Sequence, residues 1–133
     1  MKYTPHHIAI SVRNLKKSLA FYMALGYKQV HRYDEDDKTN VHLKLGNSFI
    51  EMFAYKQNQT KPPVDYEYAN NLSEIGVKHI ALGTDDVDAA LADLKEKGLA
   101  DETTKINAWL DVSFFFIKDP DGVWVEFIRD DRY

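Results

Sequence analysis

Residues 6–27 read HHIAISVRNLKKSLAFYMALGY, and residues 78–99 read KHIALGTDDVDAALADLKEKGL. Each stretch is a short apolar strand, a polar turn, an amphipathic segment and then a glycine. In the first, Ile8, Ile10 and Val12 fall on one face of a strand, and His7, Ala9 and Ser11 fall on the other. Asn14 is placed to cap a helix in which Leu15, Ser18, Leu19, Tyr22 and Leu25 recur at helical spacing, and Gly26 is a natural stop. In the second, residues 78–84 form the strand and Asp86 the cap. Val87, Ala90, Leu91 and Leu94 form the apolar stripe, and Gly98 the stop. The chain states one plan twice, roughly seventy residues apart, and such a period decides the architecture.

Working outward, residues 27–33, 41–45 and 49–55 have the composition of strands, separated by the acidic run at 34–37 and by Gly46-Asn47. After the second glycine, strands are expected over 102–108, 112–117 and 123–128, the last two joined by an Asp119-Pro120-Asp121-Gly122 turn. Residues 56–77 are polar, contain Pro62-Pro63, and read as a connector with a short helix near 66–72. The predicted fold is α+β, a single domain of two βαβββ modules, about 1–55 and 78–133. A four-stranded sheet with one helix leaves its other face bare. Pairing two such faces, within the chain or across a dimer, would make an open, curved mixed sheet, a half-barrel around a cavity.

Length and composition agree with one small globular domain. The chain has 133 residues, 44% of them apolar and 29% charged, and no cysteine. Disulfides, cysteine zinc sites and thiol nucleophiles are therefore excluded, leaving His, Asp and Glu as candidate metal ligands. No apolar run approaches the ~20 residues of a membrane span, and histidines stand where a signal peptide would place its apolar core. A cytoplasmic protein without membrane association is expected. Net charge is −4, and the basic residues are scattered with no concentrated stripe, which argues against nucleic acid.

The face away from the helix carries the chemistry. Its first strand presents His7, Ala9 and Ser11, and the repeat-equivalent strand presents His79, Ala81 and Gly83. A histidine followed by small residues leaves room for something bound. The last strand of each module carries one carboxylate in an apolar context, Glu51 in FIEMF and Glu126 in WVEFI. Burying an unpartnered carboxylate costs several kcal/mol or forces it to take a proton, and a metal removes that difficulty. Taken singly, each of these histidines reads as a packed strand residue. Four donors at repeat-equivalent positions read as a metal site, in which two neutral imidazoles and two carboxylates neutralise a divalent cation. His6, His31 and His42 lack such company and read as surface or packing residues.

The stretches at 7–26, 49–53 and 78–82, with DPDGVWVEFI at 119–128, together resemble the vicinal oxygen chelate superfamily, the glyoxalase/bleomycin-resistance/dioxygenase fold. The resemblance covers essentially the whole chain. It implies metal ligands on the first and last strands of each module, here His7, Glu51, His79 and Glu126, often completed across a homodimer. The carboxylate at 51 looks most like bacterial glyoxalase I. Methylmalonyl-CoA epimerase is similar but favours an amide there. Such a site suits octahedral Ni(II) or Co(II), with Zn(II) possible.

The resemblance further implies a lyase or isomerase acting on a small vicinal-oxygen substrate such as a hemithioacetal. A metal-stabilised enediolate would form by proton transfer to a Glu base, with Glu126 favoured and Glu51 its partner. Ser11 stands where related glyoxalase I enzymes place an arginine for glutathione, which argues against glutathione as the thiol. The alternative is a drug-binding or fosfomycin/bleomycin-type resistance protein, with Phe49, Phe53, Tyr55, Trp109 and Phe115 lining a groove, or an epimerase or dioxygenase.

Overall fold

In a computed structural model of the chain, residues 1–57, 72–73 and 75–133 are described. The chain divides into two compact units, Met1–Pro63 and Val64–Tyr133. The short helix expected near 66–72 falls, apart from Leu72 in a turn, outside the described residues.

The first unit runs β1 (His7–Ser11), α1 (Leu15–Ala24), β2 (Lys28–Asp34), β3 (Lys38–Leu45) and β4 (Ser48–Tyr55). Its sheet has the order β1-β4-β3-β2, with β1 parallel to β4 and the other pairs antiparallel. The Asn14 side chain accepts from the Lys17 N–H at 3.0 Å and caps α1. Gly26, at φ +102°, ends the helix in a backbone conformation that side chains disfavour. Val41, Leu43, Ile50 and Met52 alternate along β3 and β4 and are fully buried, forming one side of the core. Ser18, Phe21 and Tyr22 of α1 are buried as well.

The second unit repeats the order with β5 (His79–Gly83), α2 (Val87–Glu96), β6 (Asn107–Trp109), β7 (Val112–Lys118) and β8 (Trp124–Asp130). Its sheet has the order β5-β8-β7-β6, again with the first and last strands parallel. Asp86 caps α2 through the Ala89 N–H at 3.0 Å. Val87, Leu91 and Leu94 are buried on a helix that packs on β7 and β8, whose Phe115, Ile117, Val125 and Phe127 fill the core. Both sheets are mixed, four-stranded and open, in the α+β pattern of two βαβββ modules.

Two local expectations are corrected. The strand expected over 102–108 is reduced to Asn107–Trp109. Asp101 takes the preceding residues into a turn, its carboxylate accepting from the Thr103 N–H at 2.8 Å while the Thr104 N–H reaches the Asp101 carbonyl. Such local side-chain bonds compete with a strand ladder. Ile8, read on one apolar face with Ile10 and Val12, is 43% exposed, whereas its repeat-equivalent Ile80 is buried.

Candidate functional site

The strand registers place the candidate donors. In the first unit Ala9 lies opposite Glu51 and His7 opposite Phe49 on parallel strands. Side chains alternate across a strand, so His7, Ala9, Phe49, Glu51 and Phe53 share the face that looks away from Val41, Leu43, Ile50 and Met52. Ala9 is small enough to let the Glu51 side chain lean along the strand. His7 Nε2 and Glu51 Oε2 come within 3.2 Å.

The second unit does the same with different residues. Ala81 lies opposite Glu126 and His79 opposite Trp124. His79 Nε2 and Glu126 Oε2 are again 3.2 Å apart. The separation fits a pair of cation ligands, since two donors each about 2.1 Å from an ion and at right angles lie about 3.0 Å apart. Among the described residues no three His, Cys, Asp or Glu side chains converge into a metal cage. Each unit brings two donors, fewer than a closed site requires.

Around these pairs the units differ. On β3, His42 lies directly opposite Glu51, and Asn40 is two residues along the same face. Asn40 Nδ2 donates to Glu51 Oε1 at 3.1 Å, and His42 Nε2 approaches the same oxygen at 3.3 Å. His31 stands beside His42 across the β2–β3 ladder, their rings 5.2 Å apart. The hydrogen bond from Asn40 is the main influence holding the Glu51 carboxyl below the usual carboxylate range. Desolvation opposes it, while the His42 hydrogen bond and the charges of His7 and His42 assist.

The equivalent positions in the second unit are aromatic. Phe116 lies opposite Glu126 and Phe114 opposite Ile128. Phe116 meets His79 edge-on at 5.3 Å and Trp124 edge-on at 5.8 Å. A lysine flanks each pair over an aromatic ring, Lys44 over Phe49 and Lys118 over Trp124, at 5.5 and 4.7 Å.

Three histidines expected to be incidental thus include two that touch the site residues. Besides His42, His6 Nδ1 lies 2.8 Å from His7 Nδ1 and its ring stacks on Phe49. A His7 that offers Nε2 to a cation keeps its proton on Nδ1, and His6 is then its outer partner. The groove aromatics are corrected in part. Phe115 is fully buried against Phe127 and faces the core, because odd-numbered β7 residues such as Phe115 and Ile117 take the helix side. Phe49 and Phe53 do lie on the His–Glu face of the first unit.

Comparison with known proteins agrees with this architecture. An uncharacterized Escherichia coli protein, YaeR, is 31% identical over 125 residues, covering 91% of this chain and 92% of its own. The human mitochondrial methylmalonyl-CoA epimerase is 32% identical over 127 residues, 91% of this chain and 70% of the epimerase. The crystal structure of a glyoxalase family protein from Enterococcus faecalis matches the fold with a TM-score of 0.76 at 24% identity, covering 95% of this chain and 97% of that one. The family model matches residues 4–127, and the chain belongs to the Glyoxalase/Bleomycin resistance protein/Dioxygenase superfamily.

Proposed function

We propose that the protein is a divalent-metal enzyme of glyoxalase I type, a lyase or isomerase for small substrates with neighbouring oxygens such as hemithioacetals. One observation carries this reading: the same His–Glu pair, at the same 3.2 Å and in the same register, occurs in both units. Brought together, within one chain or between two copies in a homodimer, His7, Glu51, His79 and Glu126 would supply two imidazoles and two carboxylates. That neutral four-donor set suits Ni(II) or Co(II), with Zn(II) as the other choice. When bound, such an ion supplies a Lewis acid for negative charge developing on substrate oxygen.

The protein's own groups do the rest. Glu126 takes the proton from the carbon beside the substrate carbonyl, holds it, and returns it to the neighbouring carbon. The hydroxyl proton passes to the former carbonyl oxygen as bond orders shift between the two carbons and their oxygens, no atom is lost, and no external oxidant is needed. The aromatic wall of Phe116 and Trp124 limits water around that carboxylate. His7 and His79 remain neutral donors, and Glu51 stays in place.

A second reading is epimerisation beside a thioester carbonyl, favoured by the 32% identity to the human epimerase. It begins with the same proton removal, after which a proton is delivered to the opposite face of the same carbon, a step for which Glu51 across the site is the second carboxyl group. The test is a metal-loaded sample offered hemithioacetals of several thiols and, separately, acyl thioesters in deuterated water. Conversion of a hemithioacetal to a 2-hydroxyacyl thioester supports the first reading. Deuterium incorporation into acyl thioesters alone supports the second. No stoichiometric metal, with tight binding of an aromatic drug, would contradict both and favour a sequestering protein.

A further inference from the structure

Glu51 and Glu126 occupy equivalent positions, yet their polar neighbours are unlike. Glu51 Oε1 receives Asn40 Nδ2 at 3.1 Å and lies 3.3 Å from His42 Nε2, which leaves Oε2 directed to His7. The positions that would do this for Glu126 are Phe114 and Phe116, which donate nothing. Among the described residues the polar partner of Glu126 is His79 alone. A carboxylate with one oxygen tied by two groups across a β-ladder cannot turn without breaking both contacts, whereas one held at a single oxygen can.

We propose that Asn40, assisted by His42, is a positioning residue that pins Glu51 as the stationary carboxylate of the site and leaves Glu126 as the one able to move. This rests on the metal-dependent reading proposed above. It divides labour between two glutamates that sequence symmetry alone would make interchangeable. Outer partners of this kind change metal affinity by about 10–100-fold when removed.

The test is a cobalt(II) titration of the full chain by visible absorption with chelator competition. Asn40→Leu keeps the branching and heavy-atom count of the side chain and removes the donor. It should weaken cobalt binding at least about 10-fold and change the visible band shape, while the metal-free protein still unfolds in one cooperative transition at a modestly lower midpoint. Asn40→Gln, which keeps an amide donor, should recover part of the affinity. In a Glu51→Gln background, Asn40→Leu should have little further effect, because the pair acts as one unit. Unchanged affinity and spectrum in Asn40→Leu would overturn the proposal. So would an equal loss with and without Glu51. A wild type that binds no cobalt would instead overturn the metal reading itself, and the clamp with it. Should Glu51→Gln bind too weakly to measure, the contrast between the leucine and glutamine variants decides.

Discussion

His42 faces Glu51 directly across the β3–β4 ladder, its Nε2 3.3 Å from Glu51 Oε1. With Asn40 on the same oxygen and His7 on the other, Glu51 is held by three side chains from two neighbouring strands. Glu126, at the same place in the repeat, leans on His79 within an aromatic surround. The predictions below follow from that contrast and from the fold that produces it.

Glu126→Gln should lower turnover by about 10²–10⁴-fold, the range of a lost general base, while metal still binds through the remaining donors. Glu51→Gln should weaken metal binding first and lose turnover in proportion to the metal lost. Metal content and initial rates measured on the same samples check both. Full activity in Glu126→Gln would contradict its role.

Acid should act on Glu51 in a definite direction. Its carboxyl titrates below its ordinary value in the folded chain, chiefly through Asn40. The ionised form therefore stabilises the fold above the ordinary carboxylate value of about 4.3, and that contribution is lost as pH falls through the lower folded value. In metal-free protein the stability difference between wild type and Glu51→Gln should shrink as pH drops from about 5.5 toward 3. Asn40→Leu should make the change smaller. Denaturant titrations at several pH values measure it.

Asp119 should matter to stability and not to metal. It is buried, and its Oδ1 accepts from the Asp121 and Val123 N–H groups at 2.9 and 2.8 Å, shaping the turn between β7 and β8. Asp119→Ala should destabilise the fold by about 1–3 kcal/mol through unsatisfied backbone donors, with cobalt affinity unchanged. A selective loss of metal would show that the turn belongs to the site.

Core and caps give a second stability scale. Leu43 is fully buried, and Leu43→Ala should cost about 2–5 kcal/mol. Asn14→Ala and Asp86→Ala each remove a cap to a backbone N–H and should cost about 1 kcal/mol. Thermal and denaturant unfolding distinguish the two classes.

Much of this architecture was legible because it is local. Asn14, Asp86, Gly26 and Gly98 mark helix ends, and period-two alternation marks β3, β4, β7 and β8. The repeat makes His7 and Glu51 pair as His79 and Glu126 do. Asn40 and His42 escaped because their partner lies 11 and 9 residues away across a hairpin. The signal was there in the two-residue turn at Gly46-Asn47: pairing Leu45 with Ser48 and counting back puts His42 opposite Glu51. The 102–108 segment misled because alternation cannot reveal that the Asp101 carboxylate captures the following N–H.

The central claim is that the two His–Glu pairs serve one metal ion. Isothermal titration of metal-free protein with Ni(II) tests it most directly, comparing wild type with His7→Ala and His79→Ala. One ion per chain in the wild type, with each single variant losing most of that affinity, is the predicted result. No binding by the wild type, or a loss confined to one variant while the other binds normally, would contradict it.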